Sequence, residues 1–371
     1  MGALKIMCGK TAWWRHGIVI LALAFSARSI PSAQTPAWRN VTGNLANLAS
    51  ECGNLTLLSA VPGSTTILAG VATKGLWVNA TGTTWQQLGT GVGSATISNR
   101  PSWVAYDPVR PGTFWESGIY NNAGGVFRTT NAGNTFERLG TIWHNDYVSV
   151  DFSDPNRQVI LAGGHEQVQT VYKSTDGGQT WTNVGATLPA NTNHSTHPLV
   201  IDSQTYVVNA QGWAGGVSGI FRTTNGGTSW DQVGAVGPTG PPLVTANGII
   251  YWSTFGSLAK SINRGATWTQ VGSGLLNVSP IELPDGRLAS VGGNMIVVST
   301  NGGGTWTPVG PSLPYQPQGL IYSPGRKAFF VWRGDCGAVV PGDAVMQLDM
   351  DMGGPVSTPP APPTNLRIIR D

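Results

Sequence analysis

The sequence predicts an all-β fold, a seven-bladed β-propeller of four-stranded blades whose ring is closed by the N-terminal strand. A turn related to STDGGQTW is written six times, and its last residue recurs every 38 to 51 residues, at Trp85, Phe136, Trp181, Trp230, Trp268 and Trp306. A period of this size is typical of propellers and solenoids. The composition agrees, because only 11% of the residues are charged while Gly numbers 51 and Trp 15. Such a chain suits many short strands joined by tight turns.

Each repeat is long enough for one blade. Around the copy that ends at Trp181, residues 147–152 and 170–174 alternate between apolar and polar, and residues 158–162 form a short apolar run. Residues 181–184 follow the turn and complete four short strands. A four-stranded sheet repeated at this spacing is a propeller blade. A β-solenoid is the alternative, but its coils would be shorter.

The ends of the chain predict how the ring closes. After Trp306 the sequence offers three more strands, at 318–322, 328–332 and 344–348, without a fourth. Near the N-terminus, residues 37–41 look like an outer strand with nothing before it. We therefore expect the N-terminal strand to complete the seventh blade, which hides the sheet edges that would otherwise invite aggregation.

Three segments are predicted along the chain. Residues 1–33 read as a secretory leader, with a basic region, an apolar core over 18–25 and small residues up to Ala33. An uncleaved anchor is the alternative, although the core is far shorter than the ~20 residues that span a bilayer. Residues 34–352 form the propeller, and residues 353–371 form a Pro-rich linker and a remnant tail. We expect a secreted or periplasmic monomer that is not membrane-bound after leader removal.

Charge and cysteine content limit the possible partners and cross-links. Without the leader the chain keeps 17 basic and 18 acidic residues, so nothing favours nucleic-acid binding. Two cysteines remain, Cys52 and Cys336, and ring closure brings their blades together. A disulfide is plausible in an exported protein. Two unpaired buried thiols are the alternative.

The repeated turn, S/T-x-D/N-x-G-x-T/S-W, resembles the Asp-box or BNR repeat. That repeat occurs in sialidases, endo-xyloglucanases, the sortilin luminal domain and single-propeller photosystem assembly factors. The segments VAYDPVRP (104–111) and VDFSDPN (150–156) resemble endo-xyloglucanase blades in particular. The resemblance implies a fold and says little about activity. The chain departs from these enzymes, because it has one propeller where endo-xyloglucanases generally have two, and it lacks the Arg-Ile-Pro signature of sialidases.

In sialidase-like propellers the ligand site lies on the face opposite the repeated turns, which carries the blade links and the loops between second and third strands. Long loops on a rigid scaffold usually carry function. Candidate catalytic residues there are Glu116, Tyr120, His144, Asp146, His165 and Glu166. Candidate substrate-binding residues are Arg100, Trp143, His194, His197, Trp213, Trp252, Trp332, Arg333 and Asp335.

Three kinds of chemistry fit these residue types. Paired carboxylates could act on a glycosidic bond while exposed tryptophans stack on sugar rings. A histidine with Tyr120 could remove a proton next to a uronate carboxylate that Arg100 or Arg333 neutralises. Finally, His144, His165 and one of His194 and His197 could hold a divalent metal, but a loop His-x-x-His fixes no geometry. We therefore predict no metal site and no cofactor.

Two functions follow from this inventory. The first is a secreted carbohydrate-active enzyme, a hydrolase or a lyase, that acts on a polysaccharide or oligosaccharide. The second is a non-catalytic propeller that binds a glycan or a protein partner. The aromatic loops and clustered histidines favour the enzyme, whereas the missing catalytic signatures of the known families favour the binding protein. Convergence of a His–Tyr pair or of two carboxylates in one place would distinguish the two.

Overall fold

The computed structural model describes residues 36–353, except 52–53, 121–123, 193–195, 211–215, 236, 336 and 338. The predicted leader, most of the predicted tail, both mature cysteines (Cys52 and Cys336), His194 and Trp213 lie outside the described residues. Within the described residues, no helix is long and apolar enough to cross a membrane.

Seven antiparallel four-stranded sheets make up the described chain, as predicted. Each sheet is one blade, and two short 3-10 segments, Gly43–Leu45 and Gly185–Thr187, lie outside the sheets. Blade 1 contains β2 (Leu55–Ala60), β3 (Ile67–Val71), β4 (Gly75–Asn79) and β5 (Gln86–Gln87); blade 2 contains β6 (Arg100–Tyr106), β7 (Phe114–Ile119), β8 (Gly125–Thr129) and β9 (Glu137–Arg138); blade 3 contains β10 (Asn145–Val150), β11 (Ile160–Gly164), β12 (Val171–Ser174) and β13 (Thr182–Asn183); blade 4 contains β14 (Thr196–Val200), β15 (Tyr206–Ala210), β16 (Gly219–Thr223) and β17 (Asp231–Gly234). Blade 5 contains β18 (Thr239–Val244), β19 (Ile250–Thr254), β20 (Ser257–Ser261) and β21 (Thr269–Val271); blade 6 contains β22 (Ile281–Glu282), β23 (Leu288–Gly292), β24 (Met295–Ser299) and β25 (Thr307–Val309); blade 7 contains β26 (Gly319–Ser323), β27 (Ala328–Trp332), β28 (Val345–Asp349) and β1 (Trp38–Asn40).

The N-terminal strand closes the ring, which confirms the prediction. β1 pairs antiparallel with β28, and Trp38 lies opposite Leu348. The Val41 N–H continues the pairing by donating to the Val345 carbonyl at 2.9 Å. Blade 7 thus takes its first three strands from one end of the chain and its fourth strand from the other, which closes the ring.

The hydrophobic core is divided into layers between neighbouring blades. Leu55 and Phe330 belong to one buried cluster that joins blades 1 and 7. Leu68 and Phe114 belong to the cluster between blades 1 and 2, and Trp115 and Val148 to that between blades 2 and 3. Because each sheet buries both of its faces, its second strand reads as a nearly continuous apolar run.

The repeated turns connect third and fourth strands and share one hydrogen-bond pattern in blades 2 to 6. In blade 3 the Ser174 hydroxyl accepts the N–H of Gly178 at 2.8 Å, and Asp176 Oδ1 accepts that of Thr180 at 2.9 Å. The Trp181 indole N–H points at the Leu139 carbonyl, 3.1 Å away in the preceding link. The turn therefore locks its own backbone and ties its blade to the previous one. Blade 1 differs, because Asn79 replaces the Ser or Thr and donates to the Thr84 carbonyl.

Candidate functional site

The face opposite the repeated turns brings together the side chains of blades 2 and 3. Tyr120 directly follows the second strand of blade 2, and His165 directly follows the second strand of blade 3. His144 directly precedes the first strand of blade 3. Because adjacent strands of a blade run in opposite directions, the ends of second strands and the starts of first strands reach the same face. This topology explains why positions 21 to 45 residues apart in sequence meet.

Asp146, His165 and Tyr120 form a hydrogen-bonded chain. His165 Nδ1 lies 2.9 Å from both carboxylate oxygens of Asp146, and His165 Nε2 lies 3.3 Å from the Tyr120 hydroxyl. A carboxylate only accepts hydrogen bonds, so neutral His165 carries its proton on Nδ1 and presents the Nε2 lone pair to Tyr120. The side chains of Asp146 and His165 are nearly buried. The arrangement fixes the orientation and the tautomer of the imidazole.

His144 lies beside this chain with the opposite tautomer. Its Nδ1 accepts the backbone N–H of Tyr120 at 3.0 Å. Its Nε2 is 3.8 Å from Glu166 Oε2, and the other oxygen of Glu166 is 3.8 Å from His165 Nε2. Burial, reinforced by nearby His165, lowers the pKa of His144, while Glu166 and Asp146 oppose the shift. His144 is therefore held neutral more strongly than an exposed histidine.

Three residues of the cluster adopt left-handed backbone conformations. The φ angles are 55° at Tyr120, 63° at His144 and 51° at Glu166. Such a conformation in a residue other than Gly costs on the order of 1–3 kcal/mol and persists only where the surrounding structure enforces it. Strained residues of this kind concentrate at functional sites.

Arg100 and Glu51 extend the cluster. The Arg100 guanidinium carbon is 6.0 Å from the Tyr120 ring centroid. Burial raises the pKa of Tyr120, and the carboxylates of Glu166, Asp146 and Glu51 raise it further, whereas Arg100 lowers it. The phenol is therefore a proton donor at neutral pH rather than a phenolate.

Sequence reasoning missed Glu51. It lies in the link between β1 and β2, and its Oε1 atom is buried without a hydrogen-bond partner in the described part of the chain. The signal was available, because blade links reach the same face as the loops that hold the histidines. Glu51 lies four residues before β2, in the link that leads into blade 1.

Trp143 and His197 border the cluster in different ways. Trp143 is 54% exposed, and its ring centroid lies 5.2 Å from that of His144, so it offers an open aromatic surface beside the site. His197 is buried against Tyr147, with ring centroids 5.6 Å apart. Burial lowers its pKa, and His165 adds to the shift while Asp146 opposes it. His197 supports the cluster from within the fold and does not reach its surface.

Two predicted site residues require correction. Glu116 is 0% exposed, and its carboxyl group accepts the Asn99 amide at 3.3 Å. Trp252 is also 0% exposed, packs on Trp268 and donates to the Gly240 carbonyl at 2.8 Å. Both side chains point between blades, so neither can contact a substrate. Alternating residues of a buried second strand face two hydrophobic layers, which the sequence pattern alone did not distinguish from a loop position.

The predicted residues of blade 7 lie apart from the histidine cluster. Trp332 packs in the layer between blades 7 and 1. Arg333 forms an ion pair with Asp343, and its guanidinium lies 5.1 Å from the Tyr315 ring. Asp335 is exposed, and its carboxylate contributes to raising the pKa of Arg333, after the larger effect of Asp343. These three residues form a local group of their own.

One set of atoms has the composition of a metal site. His144, His165 and Glu166 each offer one ligand atom, and these atoms lie within 4.8 Å of one another. Imidazole and carboxylate are suitable ligands for zinc. The tautomer of His144 opposes metal binding, because its Nδ1 lone pair accepts the Tyr120 N–H and its Nε2 carries the proton.

Comparison with known proteins supports the fold. The chain resembles a GH74 enzyme from Niastella koreensis, with a TM-score of 0.59 and 16% identity over 82% of this chain and 44% of the enzyme. It resembles the GH74 xyloglucanase from Xanthomonas campestris, with a TM-score of 0.56 and 17% identity over 86% of this chain and 55% of the enzyme. It also resembles YCF48 bound to D1 peptide, with a TM-score of 0.54 and 14% identity over 87% of this chain and 99% of YCF48.

The chain thus spans about half the length of the two enzymes and nearly all of YCF48. No protein-family model matches the sequence, and no curated protein matches it either. At these identities the shared feature is the β-propeller architecture, and the activity must be argued from the site itself.

Proposed function

We propose that this protein is a secreted polysaccharide lyase that cleaves uronate-containing glycans by β-elimination. The observation that carries the proposal is the hydrogen-bonded chain from Asp146 through His165 to Tyr120, with Arg100 beside the phenol ring. A lyase needs a base for the proton next to the uronate carboxylate, an acid for the leaving oxygen, and a cation for the developing charge. The cluster offers one group for each task.

His165 serves as the base in this proposal. Its Nε2 lone pair removes the proton at C5 of the uronate, and the electron pair of that C–H bond forms the C4–C5 double bond as the C4–O bond breaks. The Asp146 carboxylate stabilises the imidazolium that results. The Arg100 guanidinium neutralises the uronate carboxylate, which makes the C5 proton more acidic.

Tyr120 serves as the acid. Its hydroxyl donates a proton to the oxygen that leaves C4, so the product chain departs as an alcohol. The raised pKa of Tyr120 keeps the proton on the phenol until this step. Transfer of a proton from imidazolium Nε2 to the phenolate, across the 3.3 Å that separates them, restores both groups. No water molecule is consumed, which distinguishes elimination from hydrolysis.

The charges around Tyr120 restrict how an acidic substrate can approach. Among the described residues, Glu166, Asp146 and Glu51 place three carboxylates near the phenol, and Arg100 places one guanidinium there. A uronate carboxylate is attracted to Arg100 and repelled by the three carboxylates. Trp143, exposed next to His144, provides the aromatic surface on which a sugar ring can stack.

The test is a screen of the leaderless protein against uronic and neutral polysaccharides, with reducing ends and absorbance of unsaturated uronates measured together. We expect both signals to rise with a uronic substrate, and to disappear in His165→Ala. Asp231→Asn, a change at an exposed position of β17, is the matched control and should retain full activity. New reducing ends without new absorbance would overturn elimination in favour of hydrolysis.

A non-catalytic binding propeller is the second candidate. YCF48, which is bound to D1 peptide in its solved structure, matches this chain over 99% of its own length, whereas the two enzymes match over about half of theirs. Absence of any product from folded protein, together with retention on an immobilised polysaccharide that is lost in Trp143→Ala, would support this alternative.

A further inference from the structure

His144 connects three separate segments of the chain. Its Nδ1 accepts the backbone N–H of Tyr120, which comes from the loop after β7. Its carbonyl oxygen accepts the backbone N–H of His165 at 2.8 Å and the side-chain amide of Gln167 at 3.0 Å, both from the loop after β11. Through these bonds His144 fixes the positions of Tyr120, the proposed acid, and His165, the proposed base, relative to each other.

The bond to Tyr120 fixes the protonation of the ring. An imidazole nitrogen that accepts an N–H carries no proton itself, so neutral His144 has its proton on Nε2. That proton faces Glu166 Oε2, which is 3.8 Å away. His165 has the reverse arrangement, because its Nδ1 faces the Asp146 carboxylate. The two neighbouring rings therefore present different groups to the site: a lone pair on His165 Nε2 and an N–H on His144 Nε2.

This tautomer conflicts with the two other roles that a histidine could have here, those of metal ligand and general base. A metal ligand needs a lone pair, and Nε2 of His144 has none while Nδ1 accepts the Tyr120 N–H. Ligation through Nδ1 would break the bond that holds Tyr120 in its left-handed conformation, with φ of 55°. A general base likewise needs a lone pair that is not already committed to the backbone. His165 has one on Nε2, beside the Tyr120 hydroxyl, whereas the lone pair of His144 accepts the Tyr120 N–H.

We propose that His144 is a positioning residue that acts through Nδ1 as a hydrogen-bond acceptor for the backbone of Tyr120, and that it is neither a metal ligand nor the base. The consequence for catalysis rests on the proposed function, whereas the tautomer does not. The residue acts through Tyr120, whose hydroxyl must stay within reach of His165 Nε2.

Two substitutions separate the nitrogen atoms of His144. Asparagine places its side-chain oxygen near the position of Nδ1 and can accept the Tyr120 N–H, whereas glutamine places its terminal group near Nε2 and cannot. We expect His144→Asn to keep activity within about threefold of wild type. We expect His144→Gln to lose on the order of 100-fold in kcat with little change in KM, because small misplacements of reacting groups have effects of this size. Equal and large losses in both variants would overturn the proposal.

Nitrogen-15 NMR of the imidazoles tests the tautomer without any substrate. We expect His144 to show an unprotonated Nδ1 and a protonated Nε2, and His165 to show the reverse. As the pH is lowered, the His144 signals should move only below the pH at which an exposed histidine titrates, since burial and His165 lower the pKa of His144 against the opposing effects of Glu166 and Asp146. A protonated Nδ1 on His144 would contradict the proposal, even if His144→Gln failed to fold.

Zinc titration completes the test. In calorimetry with Zn²⁺ alone, we expect wild-type protein to show no zinc binding that depends on His144, so both His144 variants should behave as wild type does. A chelator should leave activity unchanged. Tight stoichiometric zinc binding that requires His144 would overturn the proposal. The expected tautomers without activity on any polysaccharide would instead leave the position of His144 standing and overturn the lyase.

Discussion

The two faces of this propeller are built by different means. On the turn face, five blades repeat the same pattern, in which a Ser or Thr hydroxyl accepts a Gly N–H at 2.8–3.1 Å. On the opposite face the histidine cluster has no counterpart among the described residues of the other blades, and its bonds cross from one blade to the next. Short-range repetition thus stabilises the fold, and long-range convergence creates the site.

The backbone conformations of the two faces differ in the same sense. Each repeated turn of blades 2 to 6 has Gly at the second of its two left-handed positions, as at Gly178 with φ of 97°, whereas the first position is Ala132 in blade 2 and Arg264 in blade 5. The site places Tyr120, His144 and Glu166 at such positions instead. Changes on the turn face should therefore alter the stability of the fold without affecting its chemistry. Changes in the histidine cluster should affect the proposed chemistry with little effect on stability.

Tyr120→Phe is the change with the largest expected effect. It removes one hydroxyl and keeps the ring, so we expect kcat to fall by about 10²–10⁴, the range for loss of general acid catalysis. The melting temperature should stay close to that of wild type, because within the described residues the hydroxyl bonds only to His165, at 3.3 Å. Initial rates of unsaturated-product formation and a thermal melt measure both. Equal rates in the two proteins would exclude Tyr120 as the acid.

A Cys52–Cys336 disulfide would strengthen the non-repeated face. Asn54, two residues after Cys52, donates to the carbonyl oxygen of Asp335, the residue before Cys336, at 2.9 Å. A bond between cysteines 284 residues apart would restrict the unfolded chain and stabilise the fold by up to about 5 kcal/mol. We expect a mass two hydrogens below that of the reduced protein, and a lower melting temperature after reduction. Quantitative thiol labelling of unreduced native protein would contradict the bond.

Gly178→Ala tests the turn face. A Cβ there would lie 2.7 Å from Leu139 Cδ1 at a φ of 97°. Backbone strain and overlap together should cost about 2–4 kcal/mol of unfolding free energy. The control is Gly82→Ala, at φ of 68° with open space around it, where strain alone should cost about 1 kcal/mol. Chemical denaturation compares the two. Identical losses would mean that packing against the preceding blade contributes nothing.

Glu116→Gln probes a buried acid that takes no part in the site and has the smallest expected effect. Burial raises the pKa of Glu116 well above 4.5, and the Asn99 amide only partly opposes the shift. The unfolded state releases the proton near pH 4.5 while the folded state keeps it, so this acid destabilises the fold as pH rises. We expect the variant to melt higher than wild type at neutral pH and at the same temperature at about pH 4. A lower melting temperature of the variant at neutral pH would contradict the assignment.

The site illustrates how far sequence reasoning reaches. Topology and turn spacing predicted which residues share a face, and the structure brings together on it His144, Asp146, His165, Glu166 and Tyr120. Glu116 and Trp252 were selected by the same rule and are buried, because the end of a second strand and the loop that follows it look alike in sequence. Glu51 was missed because the link into blade 1 belongs to the closing segment, which stands outside the repeat.

The sequence by itself determined the number of blades, the four strands of each and the closure of the ring, because these depend on short-range patterns that recur along the chain. Only the tertiary structure decided that Tyr120 meets His165, that His144 accepts the Tyr120 backbone N–H, and that Glu51 faces the same phenol. These contacts join residues from different blades. Their distances depend on how neighbouring sheets pack and twist, and no local sequence pattern encodes that packing.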